Sequence, residues 1–254
     1  HQTTPPPPTS TPPRNRRQRQ MCIRDRTKPT ISSYLRDHLD DIGTKKQPGP
    51  YITISRQWGC DGVALGEALV AELNGRDSGR RWKLYYKELL KQLAEDTGLT
   101  EEILEKERTS MPSLLKDFLR GLKKNGIPDG YEIRNKITMM VRTVAFEGHA
   151  VILGQGGTAA TGDLAKGLSV RVEAPKDWRV ARICRRENLE KHAAISRIEE
   201  IEKERDRLRQ IYERQNSREP AFNLVFDNAM FTNAQIAKLV IIAMEEKGLV
   251  EKGE

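Results

Sequence analysis

The 254-residue chain is long enough for one large domain or two small ones, with 37% hydrophobic residues to fill a core and 31% charged residues to cover it. Its formal net charge of +8 points toward nucleic acid, but residues 1–50 hold ten Lys/Arg against four Asp/Glu while residues 51–254 hold 34 against 32. The basic excess therefore belongs to the N-terminal segment, which argues against nucleic acid as a partner of the folded body. Cys22, Cys60 and Cys184 form no disulfide framework, the four histidines form no metal cluster, and no apolar run is long enough to span a bilayer. These absences lead to the expectation of a cytoplasmic protein with no resident metal and no membrane partner.

In chain order, residues 1–20 (HQTTPPPPTSTPPRNRRQRQ) lack the side chains to build a core and are expected to be disordered. The following MCIRDR resembles translated sequencing adapter and the chain opens on His1, so about the first 26 residues are expected to be assembly debris. Residues 1–29 are set aside as a tail on this reading. Residues 30–42 place Tyr34, Leu35, His38, Leu39 and Ile42 on one helical face, and 43–49 read as a Pro-Gly-Pro linker.

The body, residues 50–250, opens with Tyr51–Ser55, an alternating β-branched strand. A glycine-containing turn over 56–62 leads into a helix over 63–74. A short strand is expected at 82–85, helices at 86–97, 100–108, 112–124 and 131–148, and strands at 150–153 and 168–173. Residues 176–215 read as helical and densely charged, followed by a strand at 224–226 and a helix at 234–247. Strands alternating with helices imply a parallel sheet covered on both faces.

Two features carry chemistry. A strand that delivers a glycine turn to a helix N-terminus is a way to hold phosphate, because backbone N–H groups and the helix dipole face the anion. Gly59 and Gly62 permit a tight backbone there and Asp61 is placed to cap the helix, although an ordinary βα turn has the same spacing. The second feature is arginine placement: Arg56 in the turn, Arg179 and Arg182 at i,i+3, and Arg205 and Arg209 one turn apart. Arginines neutralise charge on transferring phosphoryl groups. The bland alternative is a solvated helix face with i,i+4 ion pairs.

In order along the chain, ITISRQWGCDGVALGEALVAEL, WKLYYKELL, VILGQGG, SVRVEAPKDWRVARI, IEKERDRLRQIY and FNLVFDNA together resemble the cytidylate kinase-like family, a relative of the nucleoside monophosphate kinases. The resemblance implies a three-layer α/β/α P-loop domain with a parallel sheet, a helical segment on the monophosphate side over about 86–148 and a charged lid over about 185–218. It implies ATP with Mg2+ as the donor complex and a nucleoside monophosphate, CMP-like, or another small phosphate acceptor as the partner. On this reading Arg56, Arg205, Arg179 and Arg182 are catalytic. Ser55, Arg56, Gly59, Cys60, Asp61, Gly62, Gln155, Gly156 and Arg209 bind the nucleotide or its phosphates.

The chain also departs from the pattern. A full Walker loop supplies a lysine and a hydroxyl; here Gly62 or Val63 stands at the lysine position and no hydroxyl follows. Gln155 replaces an arginine of the family, and Tyr86 stands where an acid is expected. A binding protein with a degenerate kinase site is therefore a second reading. A third comes from Gly154–Ala159, which fits GxGxxA with Glu173 about twenty residues on, the dinucleotide fingerprint. Against it, residues 158–167 leave room for a short turn rather than a crossover helix.

Overall fold

The computed structural model describes residues 47–76, 79–87, 130–213 and 221–252, together with residues 91, 94 and 101. The helices expected at 30–42 and 112–124 lie outside these residues, those at 86–97 and 100–108 are described only at single positions, and the expected lid runs past Glu213 into the same gap.

Eleven elements follow in order among the described residues: β1 (Tyr51–Arg56), α1 (Gly62–Arg76), β2 (Lys83–Tyr85), α2 (Gly130–Glu147), β3 (Ala150–Leu153), α3 (Gly157–Ala160), β4 (Gly167–Glu173), α4 (Lys176–Glu187), α5 (Lys191–Glu213), β5 (Leu224–Asp227) and α6 (Asn233–Glu246). The strands form one parallel sheet in the order β2-β3-β1-β4-β5.

Strand periodicity sorts the core into two layers. Ile52, Ile54, Val151, Leu153, Leu168, Val170 and Val172 face one side, where Leu65, Leu69 and Leu73 of α1 and Ile236, Val240 and Ile241 of α6 cover them. Tyr51, Ala150 and Ile152 face the other side, against Ile133, Ile137, Met140 and Val144 of α2. The first layer is apolar at its strand positions, while the second also takes in Thr53 and Ser169, buried and hydrogen-bonded to Thr158 and Asn223.

The stretch expected to be helical at residues 176–215 is helical up to Glu213 and is divided in two. It is a hairpin of α4 and α5, broken at Asn188, which is left-handed at φ 52°. Asparagine tolerates that region, and the N–H of Leu189 closes the α4 end on Cys184 O at 3.2 Å. The break lets Val180 and Ile183 meet Ala194 and Ile198 in a third small core, against which Trp58 packs.

The dinucleotide reading is also corrected. The helix after Gly154–Gly156 spans only four residues, and the strand that follows, β4, pairs with β1 rather than with β3. Glu173 therefore lies two strands from the glycine turn, where it accepts from Arg171 Nε at 3.0 Å. The fingerprint's strand–helix–strand unit is not built.

Candidate functional site

The sheet centre directs three loops to one place. β1 has β3 on one side and β4 on the other; the connection from β1 runs to β2 on the β3 side while that from β3 crosses to β4, the arrangement that opens a crevice in parallel sheets. The β1–α1 loop, the glycine turn after β3 and the Ala174-Pro175 exit from β4 all border it.

The β1–α1 loop is held on every side. The Gln57 N–H donates to Val172 O at 2.9 Å and its side-chain oxygen accepts from the Ala174 N–H at 3.0 Å, which ties the loop to β4. The Trp58 N–H donates to Glu202 Oε1 of α5 at 2.7 Å. Arg179 of α4, only 6% exposed, donates from Nη1 to Trp58 O at 3.1 Å and from Nε to Ala174 O at 3.0 Å. The Trp58 ring carries two guanidinium groups, Arg186 at 5.1 Å and Arg205 at 5.0 Å from its centroid, contacts worth about 0.5–2 kcal/mol each. Gly59 sits at φ 100°, and an added Cβ would come within 2.8 Å of Arg179 Cβ. Asp61 caps α1 by accepting from the Ala64 N–H at 3.1 Å, and its other oxygen pairs with Arg182 at 3.0 Å.

Beside the loop lies a cavity of about 610 Å³. Its floor is the carboxyl edge of the sheet, Ile54, Ser55, Arg56, Leu153 and Arg171, and its roof is α5. Both ends of that roof are fixed. Arg205 Nη1 donates to Arg56 O at 3.2 Å. At the other end Tyr212, 5% exposed, lies over Gly156, where an added Cβ would meet the ring at 2.8 Å.

Three arginines converge on the cavity. Arg56 passes under Gly154, whose missing side chain makes room: a Cβ there would lie 2.7 Å from Arg56 Nη1. Its guanidinium stacks on Tyr86 at 5.4 Å and donates to that hydroxyl at 3.5 Å. Arg171 projects from β4 beside its register partner Ser55 and donates to Ser55 Oγ at 2.8 Å. Burial, and then the charge of Arg56, push the Arg205 guanidinium down to about 10, with Arg171 adding to the repulsion. The Glu202 carboxylate opposes that repulsion, and the guanidinium groups keep a fork of donors suited to a phosphate.

The sequence candidates separate into two groups. Ser55, Arg56, Gln155, Gly156, Arg205 and Arg209 line the cavity. Gln155, left-handed at φ 57°, donates to Tyr86 O at 3.3 Å, and Arg209 pairs with Asp206 at 3.0 Å. Gly59, Cys60, Asp61, Gly62, Arg179 and Arg182 do not line it; they form the loop and the two arginines bracing it from α4. Burial pushes the Cys60 thiol up to about 11 against the opposing pull of Arg179, which makes it a packing group.

Sequence reasoning missed Arg171, Glu202 and Tyr212. Arg171 stands within the matched segment SVRVEAP, and its alternation with Val170 and Val172 places it off the apolar face. Glu202 had no signal, since a carboxylate in a helix dense with Glu, Lys and Arg reads as solvated.

Fold and site together define an α/β protein with a cavity, lined by both arginines and carboxylates, at the carboxyl edge of a five-stranded parallel sheet. The profile of the cytidylate kinase-like family matches residues 51–230, and the chain belongs to that family. An uncharacterized protein from Eubacterium ventriosum has a similar structure, at 18% identity, 77% coverage of this chain, 98% of that one and a TM-score of 0.55. This likeness shows the fold alone. Weaker overlaps at 18% and 16% identity are found with TT1252 from Thermus thermophilus (78% of this chain, 98% of that one, TM-score 0.39) and with dephospho-CoA kinase from Campylobacter jejuni (77%, 97%, TM-score 0.34). No curated protein matches the chain. No helix among the described residues is long and apolar enough to cross a membrane.

Proposed function

We propose that this protein is a nucleotide-binding phosphotransferase, using ATP with Mg2+ to phosphorylate a nucleoside monophosphate or a related small acceptor, in the cytoplasm. The observation that carries the reading is the convergence of Arg56, Arg171 and Arg205 on a cavity large enough for a nucleotide. Phosphoryl transfer needs little from a protein beyond positioning and charge stabilisation, and guanidinium groups supply both. Arg56 and Arg205 are the groups that meet the transferring phosphoryl charge. Arg171 and Arg209 hold the phosphate of a bound nucleotide. Magnesium keeps several of its waters and is commonly carried by substrate phosphates, so it enters here with the nucleotide as part of the substrate.

A second reading is a binding protein without transfer. It is favoured by one observation: no lysine stands in the β1–α1 loop, and the loop's Asp61 is negative and paired with Arg182. Release of ADP, followed by a coupled assay over a panel of nucleoside monophosphates, separates the two. The kinase reading expects acceptor-dependent release with at least one monophosphate. Tight nucleotide binding without acceptor-dependent release would leave the binding reading in its place.

A further inference from the structure

Residues 57–62 of the β1–α1 loop do not line the cavity, and Glu202, which does, is bonded to that loop. The Glu202 carboxylate lines the cavity on one side. On the other it accepts the Trp58 N–H at 2.7 Å and lies 3.4 Å from Arg179 Nη1. A loop N–H and a guanidinium that is 6% exposed are the donor set of an anion site. Here that site is filled by a side chain of the protein itself. Its geometry is that of a phosphoryl oxygen held by a backbone N–H and an arginine.

We infer that Glu202 is a displaceable internal anion: it occupies a phosphoryl-binding position formed by the Trp58 N–H and Arg179, and an incoming phosphoryl group takes its place. Glu202 is one-quarter exposed while Arg179 is 8% exposed at the side chain, so the carboxylate rotates out by side-chain motion while the buried cation stays in place. When it leaves, the cavity extends over the loop, and a nucleotide reaching from Arg171 and Arg205 toward Trp58 spans both positions. The arrangement also keeps Arg179 neutralised in the empty protein. A buried unpaired guanidinium is strongly unfavourable, and a site that must be empty at times needs an internal partner for it. The Asp61–Arg182 pair at the start of α1 repeats the device on the neighbouring stretch of the same loop.

The inference rests on the phosphate-binding reading above for its ligand class, and the test separates the two. Inorganic phosphate is titrated into the wild type, Glu202→Gln and Glu202→Ala. Calorimetry follows overall binding, and the 15N shift of the Trp58 amide follows the loop position. Glu202→Gln keeps the shape and an acceptor for the N–H, so it guards against loss of folding; Glu202→Ala empties the position. The expected result is a Trp58 amide that responds to phosphate at concentrations at least tenfold lower in both variants than in the wild type. Combining Glu202→Ala with Arg56→Ala and Arg171→Ala removes the cavity binding and leaves the Trp58 response. A Trp58 response equal in wild type and variants, or variants that lose stability without any Trp58 response, overturns the inference. A Trp58 response in the variants with no cavity binding in the wild type supports the inference and overturns the cavity reading instead.

Discussion

Replacing Arg179 by alanine distinguishes two roles for one side chain. As a transition-state arginine it would be expendable for folding and decisive for rate. The structure instead makes it a strut: its guanidinium holds Trp58 O at 3.1 Å and Ala174 O at 3.0 Å and lies 3.4 Å from Glu202. Hydrogen bonds to a charged donor are worth about 1.5–3 kcal/mol each, and breaking a buried ion pair costs about 3–5 kcal/mol. The partner Glu202 is one-quarter exposed, so the ion-pair part is reduced, and contributions within one network do not add. Arg179→Ala should therefore lose about 3–5 kcal/mol in urea denaturation, a large share of the 5–15 kcal/mol typical of a domain. Arg179→Lys keeps the charge but not the fork and should fall between. An alanine variant destabilised by less than about 1 kcal/mol, with turnover cut a hundredfold, would refute the strut and return Arg179 to the transition state.

Arg205 should behave in the opposite sense. A guanidinium lowered to about 10 by burial and by Arg56 stays charged at neutral pH, but that charge is less favourable in the folded protein than in the unfolded chain. Arg205→Met should raise the unliganded stability by about 1–3 kcal/mol while weakening nucleotide binding, measured by thermal denaturation with and without nucleotide; a less stable variant would show that the repulsion with Arg56 is screened. The Cys60 thiol, raised to about 11 by burial, should resist alkylation in the native protein at pH 8, read by peptide mapping. Its raised value contributes stability that is complete below the ordinary thiol range near pH 9 and lost as pH rises toward 11. Gly148 sits at φ 78° with an added Cβ only 2.4 Å from Gly49 Cα, so Gly148→Ala should cost at least about 2 kcal/mol, the left-handed penalty plus a backbone clash.

The sheet was legible because its residues obey one rule at a time. Tyr51–Ser55 and Leu168–Glu173 are rich in β-branched and apolar residues and are buried over most of their length, with the polar Thr53 and Ser169 hydrogen-bonded where they meet a covered face. The hairpin at Asn188 was hidden because both flanking helices carry the same charged pattern, and a single left-handed residue leaves no periodic trace. At the site, Arg56 and Arg205 were visible as cations next to a glycine turn and in a matched helix segment. Arg171 was passed over because a strand residue reads as sheet, although its alternation already placed it off the core face. The contact between Arg179 and Glu202 was not legible, for one reason. An arginine and a carboxylate on amphipathic helices have the same sequence signature whether they meet water or one another, and only the packing of α4 and α5 on Trp58 decides it.

The central claim is that Arg56, Arg171 and Arg205 form the phosphate site of a nucleotide, and Arg171→Ala tests it most directly. Arg171, 13% exposed at its side chain, pairs with a Glu173 that is 46% exposed and donates to Ser55 Oγ at 2.8 Å, so its removal carries a stability cost that thermal denaturation reads separately from binding. Titration calorimetry with the four common nucleoside monophosphates should show wild-type binding of at least one. For that nucleotide the variant should bind roughly ten- to a hundredfold more weakly, the equivalent of about 1.5–3 kcal/mol, while still folded at the temperature of the titration. Equal affinity for wild type and variant, or no monophosphate binding by either, would contradict the account.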